Sequence, residues 1–163
     1  MSIRKCTASD LPLLVDIINS SYLIDESHLF DGTRTNLSDL SKLTSQENNQ
    51  ILVLEIDGKP SGSILLSIDH TSKVAHFGML SVALSQQKKG YSRLLVTAAE
   101  DTARAAGMNK MEIDIIECRT SLQSFYGKLG YHQTGVGSFP DEPIGGYSLP
   151  KVKFNMLLLE KDL

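Results

Sequence analysis

The chain has 163 residues, 41% of them hydrophobic and 21% charged, with a net charge of −3. That length suits a single domain over residues 1–163, and the lack of a basic excess speaks against a nucleic-acid-binding surface. No apolar run reaches the roughly 18 residues of a membrane span. The N-terminal Met-Ser-Ile-Arg-Lys-Cys lacks the apolar core of a signal peptide, and Cys6 and Cys118 have neither metal-ligand nor disulfide spacing, so a cytoplasmic protein without a metal is expected.

Ser2–Cys6 alternates and reads as a first strand. Ser9 is the expected N-cap of a helix with Pro12 in its first turn; Leu11, Leu14, Ile17, Ile18 and Tyr22 follow at helical spacing, and the helix ends near Leu23. Asp25–Thr35 is polar and holds the turn dipeptide Asp31-Gly32. Asn36 caps a short second helix with Leu37, Leu40 and Leu43 on one face, broken by Glu47-Asn48-Asn49. Ile51–Ile56 and Ser61–Ile68 form a hairpin about Asp57-Gly58. After a turn at Asp69–Ser72, Lys73–Leu84 is the next strand, and Tyr91–Ala106 is the long helix, closed by Gly107. Lys110–Glu117 is a strand with alternating Met111, Ile113 and Ile115. Leu122, Phe125, Tyr126 and Leu129 mark a helix stopped by Gly130. Tyr131–Val136 and Val152–Leu159 are strands; between them the glycine- and proline-rich Gly137–Pro150 reads as one long loop, a length that tends to carry function. Strands and helices in this order make an α/β layer fold on a mixed sheet.

The junction Met79–Ser92 carries the first chemical signal. A buried strand runs into a polar loop with Lys88, Lys89 and Gly90, and a helix begins at once. The first backbone N–H groups of a helix have no partner within it and sit at the positive end of its dipole, so such a junction accepts phosphate. Read alone, it could equally be an ordinary turn with a solvated lysine pair. The second signal is Phe125-Tyr126-Gly127-Lys128-Leu129-Gly130-Tyr131, a helix end rich in aromatics, one helix and one strand further on.

Together these stretches resemble the two hallmarks of the GNAT superfamily of acyl-CoA-dependent N-acyltransferases: Gln/Arg-x-x-Gly-x-Gly/Ala after the fourth strand, and aromatic-Tyr-x-x-x-Gly-aromatic at a later helix end. Gln87-Lys88-Lys89-Gly90-Tyr91-Ser92 fits the first except that Ser92 stands for the last small residue. Many members also carry Asn seven residues before the tyrosine, where this chain has Arg119. The resemblance implies a GNAT-like three-layer α/β fold with a mixed seven-stranded sheet, and acetyl-CoA as cosubstrate.

It further implies roles. Gln87, Lys88, Lys89, Gly90, Tyr91 and Ser92 would wrap the pyrophosphate, with Gly90 permitting close approach. Leu80, Ser81 and Val82 would offer strand backbone to the pantetheine amides, and the Leu80 N–H would polarise the thioester carbonyl. Arg119 lies where the family holds the start of the tyrosine helix against the cofactor. Tyr126 is the candidate general acid for the departing thiolate, since thiol and phenol have nearby reference pKa values. On residue pattern alone Tyr126 is as readily a core tyrosine.

The general base is open among His76, Glu112 and Asp114; imidazole titrates near neutral pH, and a partly exposed structural histidine is the plain alternative. The segments Tyr22–Arg34 and Gly137–Pro150 would select the acceptor, with Asp25, Glu26, Asp31, Asp141 and Glu142 as an acidic rim suited to a cationic amine. A small-molecule or amino-acid-like amine is the expected acceptor. A protein lysine or N-terminal acetyltransferase and a non-catalytic CoA-binding module are the alternatives. A closed pocket favours the small acceptor, and a flexible loop beside an open groove favours a protein. The sequence leaves the oligomeric state open, a homodimer included.

Overall fold

The computed structural model describes residues 1–143 and 146–163. In chain order its elements are β1 (Ser2–Lys5), α1 (Leu11–Glu26), β2 (Gly32–Thr33), α2 (Leu37–Ser45), β3 (Asn49–Ile56), β4 (Lys59–Asp69), β5 (Val74–Val82), α3 (Tyr91–Ala105), β6 (Lys110–Ile116), α4 (Thr120–Gly127), β7 (His132–Ser138), β8 (Gly146–Tyr147) and β9 (Asn155–Asp162). Seven strands form one sheet in the order β1-β3-β4-β5-β6-β9-β7, antiparallel except for the β5–β6 pair. Helices cover both faces, giving the expected three layers. Among the described residues no helix is long and apolar enough to cross a membrane.

Strand alternation assigns the two faces. Leu52, Leu54, Ile64, Leu66, Met111 and Ile113 point to α3 and α4, where Leu95, Val96, Ala99 and Tyr126 meet them. Ile51, Val53 and Met79 point the other way, to Leu14 and Ile18 of α1 and Leu40 of α2. A third cluster of Leu29, Phe30, Ile116 and Tyr147 closes one end of the sheet. Behind α3 the buried Glu100 accepts from Tyr131 Oη–H and Lys161 Nζ–H, both at 2.9 Å, and ties the helix to β9.

Several boundaries differ from the sequence expectation. Thr7, and not Ser9, opens the first helical turn: its N–H and Oγ1–H donate to Asp10 Oδ2 at 2.7 and 2.8 Å. Two hydrogen bonds from Arg4 also reach Asp10 and hold its carboxyl well below the usual carboxylate range. Helix α1 runs past Leu23 to Glu26, adding almost one turn. The segment 137–150 is not one unbroken loop: β8 pairs antiparallel with β2, joining Gly32 to Tyr147 and Thr33 to Gly146. Residues 144 and 145 of that segment lie outside the described residues. The last strand starts at Asn155 in place of Val152.

The feature that shapes the site lies in β5. It pairs with β6 only from Val74–Lys110 to His76–Glu112, and beyond that point the strands part. Met79 sits nearby with φ +51°, and the β4–β5 register shifts between Ser63 and Leu65. A positive φ is uncommon for a residue with a side chain, and one extra residue on one strand makes a β-bulge that bends it. The bulge also swaps faces: Ala75 and Phe77 pack toward α3, Met79 toward α1, and Val82 toward α3 again.

Gly62 backs this bend. A Cβ there would stand 2.8 Å from Ser81 O and 3.3 Å from Leu95 Cδ1. Gly62→Ala is therefore expected to destabilise by about 1–3 kcal/mol through overpacking. At roughly 2–4 °C per kcal/mol for a chain of this size, a melting curve will resolve the loss; an unchanged melting temperature would mean that β4 and β5 are not held this closely.

Candidate active site

A cavity of about 760 Å³ runs through the gap between β5 and β6, large enough for an extended ligand and a small partner. The start of α3 forms one end. Gly90, at φ +83°, is its N-cap, and no side chain caps the helix. Lys88 also has positive φ, +62°, so the loop turns tightly on either side of Lys89. Arg93 and Leu94 N–H return to Gly90 O at 3.1 and 3.3 Å. The N–H groups of Tyr91 and Ser92 find no partner among the described residues, and no acid stands in the first turn to neutralise them. An uncapped helix start beside Lys88 and Arg93, both lining the cavity, fits a phosphate group. Lys89 instead donates to Gln86 Oε1 at 2.8 Å and stands outside, while Gln87 Nε2–H donates to Val82 O at 3.1 Å and ties loop to strand.

Parity along β5 decides which backbone groups face the gap. Ala83 N–H donates to Ser61 O at 2.8 Å, so Ala83 and Ser81 turn their backbone to β4. Leu80 and Val82 therefore turn theirs to the gap, and both line the cavity. Ser81, expected beside them, does not: its Oγ lies 3.2 Å from Ser63 Oγ, in the buried β4–β5 seam.

Tyr126 lines the cavity from α4, its ring held among Phe125, Tyr131 and Phe77 at centroid distances of 5.0, 5.8 and 5.9 Å. Its hydroxyl makes no hydrogen bond among the described residues, and burial holds its pKa above the ordinary phenol value. His76 stands where the gap opens. Its Nε2 is buried and unpartnered, 3.6 Å from Asp114 Oδ2 and just beyond hydrogen-bond reach. His76 and Asp114 both line the cavity. Glu112 is exposed opposite His76 in the β5–β6 register and does not line it, so the structure sets Asp114 rather than Glu112 beside the histidine.

A sequence model of the acetyltransferase (GNAT) family matches residues 12–131. The chain belongs to the GNAT acetyltransferase family. No curated protein sequence matches it. Solved structures with the same fold include a ribosomal-protein-alanine N-acetyltransferase from Brucella melitensis (18% identity, TM-score 0.79, all of both chains covered). An N-acetyltransferase from Staphylococcus aureus gives 15% identity and TM-score 0.75 over 99% of this chain and 97% of that one. An IAA acetyltransferase from Bacillus cereus gives 20% identity and TM-score 0.68 over 99% of each.

The far end of this GNAT cavity is built from α1, β2 and the segment around β8. Arg119, the departure from the family's asparagine, does not turn to the phosphate end. Its Nη1–H donates to Glu26 Oε1 at 3.0 Å and its Nη2–H to Asp25 Oδ2 at 2.7 Å. Tyr147 Oη–H donates to Glu26 Oε2 at 3.2 Å. Glu26 is 5% exposed, and burial raises its pKa against the opposing charge of Arg119. Phe30 stacks on Tyr147 at 4.5 Å, with Phe139 at 5.1 Å. Lys151 pins this wall through Asp31 at 2.7 Å and through its own N–H to Leu29 O at 2.8 Å.

Glu26, expected as one acid among five on a rim, is instead buried. Its signal was present: Ile18, Tyr22 and Glu26 are spaced by four, so a helix running one turn longer carries the buried stripe onto Glu26.

Loss of Arg119 leaves Glu26 buried without its countercharge. A carboxyl whose pKa is raised in the folded state binds protons more readily than in the unfolded chain, so stability falls as pH rises through that window, above the ordinary carboxylate value. Arg119→Gln widens the window. The variant is expected to lose about 3 kcal/mol near neutral pH and to regain part of it near pH 5, read from denaturant midpoints. A loss independent of pH would assign Arg119 a packing role only.

Proposed function

We propose that the chain transfers the acetyl group of acetyl-CoA directly to the primary amine of a small acceptor. The observation that carries this reading is the junction of an uncapped, cation-flanked helix start with a parted strand edge, both opening on one cavity. Acetyl-CoA is the family's cosubstrate and supplies the activated acetyl group. The residues fit its parts: N–H groups of Tyr91 and Ser92 with Lys88 and Arg93 for the pyrophosphate, and the backbone of Leu80 and Val82 for the pantetheine amides, β-fashion.

In this reading the Leu80 N–H polarises the thioester carbonyl as a single-donor oxyanion site. His76 takes the proton of the acceptor ammonium, its buried Nε2 being unpartnered, with Asp114 Oδ2 3.6 Å away. Tyr126 gives its hydroxyl proton to the departing thiolate. Burial raises the phenol, but a thiolate formed in the same dry cavity is disfavoured for the same reason, so transfer between them stays within reach. Holding amine and thioester together supplies much of the remaining rate.

The wall around β8, tied by its pairing with β2 and by the bonds of Lys151 to Asp31 and Leu29, supports a small acceptor over a protein chain. A peptide N-terminus is the second reading, favoured by the full-length fold match to the ribosomal-protein-alanine enzyme. A cytoplasmic setting belongs to the same proposal and rests on the free thiols of Cys6 and Cys118.

Acetyl-CoA at about a hundredfold excess over its Kd should add roughly 2.7 kcal/mol of stability and raise the melting temperature by several degrees; no rise removes the cosubstrate. Tyr126→Phe should keep that rise and lower turnover by roughly 10²-fold or more. Unchanged turnover in a thiol-release assay removes Tyr126 as the acid.

A further inference from the structure

At the α1 end of the cavity the charges carried by α1 and α4 answer one another. Arg119 takes both Asp25 and Glu26, and Tyr147 takes the second oxygen of Glu26. Arg34 stands apart. Its guanidinium lies 5.5 Å above the Tyr22 ring centroid, and it lines the cavity with Tyr22. Among the described residues it has no ion pair, and its one side-chain hydrogen-bond partner is the Tyr22 hydroxyl. It is nevertheless half-buried, and its positive charge reaches Glu26, Tyr22 and Tyr147. A partly desolvated guanidinium with no countercharge, one aromatic partner and N–H donors beyond the one Tyr22 takes is a fork awaiting an anion.

The surroundings narrow the acceptor further. Arg34 follows directly on β2, which β8 pins, so its backbone is anchored beside the cavity. Phe30, Phe139 and Tyr147 form an apolar wall at the same end, while His76 and Tyr126 stand at the strand gap. One cavity thus holds an anion fork, an aromatic wall and proton-handling groups.

We infer that Arg34 is the specificity-determining residue for the acceptor and binds a carboxylate, so that the acceptor is an apolar amino acid or a close zwitterionic relative. The inference rests on the acetyl-transfer reading above and deepens it. A peptide N-terminus lacks a carboxylate next to its amine, so Arg34 also separates the two acceptor readings.

The test uses thiol release from acetyl-CoA with L-phenylalanine and L-leucine. Each is compared with its amide and with its decarboxylated amine, 2-phenylethylamine or isoamylamine. Wild type, Arg34→Gln and Arg34→Lys are assayed, with the acetyl-CoA melting shift as the check on fold and cosubstrate binding. The free amino acids are expected to show kcat/KM at least roughly tenfold above their amides and amines. Arg34→Gln should close that gap through KM, Arg34→Lys should restore part of it, and the melting shift should stay unchanged in both.

Equal use of acids and amines, or an Arg34→Gln loss shared by all acceptors, overturns the carboxylate fork and leaves acetyl transfer standing. A preference for the amides overturns it in favour of a peptide terminus. Failure of every amine to release thiol, while acetyl-CoA still raises the melting temperature, overturns transfer to these amines and the Arg34 assignment with it.

Discussion

The parting of β5 from β6 is the constraint from which the site follows. A parallel pair that ran its full length would satisfy both strands and leave a closed sheet. Here the ladder stops at His76–Glu112, and the bulge at Met79 bends β5 away toward β4. Leu80 and Val82 are left with backbone groups that the sheet does not claim, and unpaired backbone edges are what an extended ligand can complete. The same gap lets residues of both sheet faces meet in one cavity. Tyr126 belongs to the α3–α4 face, whereas His76 and Asp114 belong to the α1 face.

Two electrostatic arrangements occupy opposite ends of that cavity. At the start of α3 positive potential is left uncompensated: no cap, no acid, and Lys88 and Arg93 alongside. At the end of α1 charge is almost wholly compensated, with Arg119 clamping the exposed Asp25 and the buried Glu26, which burial alone would push toward the neutral form. The contrast has a physical cause. A diphosphate brings its own charge and can be met by an open field, whereas a carboxylate of the protein buried among Phe30, Tyr22 and Tyr147 must bring its partner with it. Arg119, where the family has asparagine, therefore serves as countercharge at the α1 end of the cavity.

Much of this was legible before folding. The hairpin about Asp57-Gly58, the αL glycine before α3 and the aromatic run ending at Tyr131 are local signals: turn chemistry, an unfilled cap and helical periodicity act within a few residues. What escaped were long-range pairings. Gly32-Thr33 finds Gly146-Tyr147 across more than a hundred residues, and nothing in either dipeptide announces a strand. The bulge at Met79 was equally silent, because a one-residue insertion into a ladder is defined by the partner strand and not by the residue itself. Strand alternation separates Ser81 from its neighbours: they face the gap, and it faces Ser63.

The sequence by itself determined the order of elements, the family and the glycine-led start of α3, since each rests on short-range patterns that a single stretch of chain can carry. Tertiary structure alone decided the arrangement at the α1 end of the cavity. Glu26, Arg34, Arg119 and Tyr147 come from four separate segments, and whether each is paired, buried or open is a property of their neighbours. An arginine reads the same in sequence whether it is clamped by two carboxylates or left to face a cavity. Only packing, which sets the local dielectric and the available partners, makes Arg119 a structural countercharge and Arg34 an open fork.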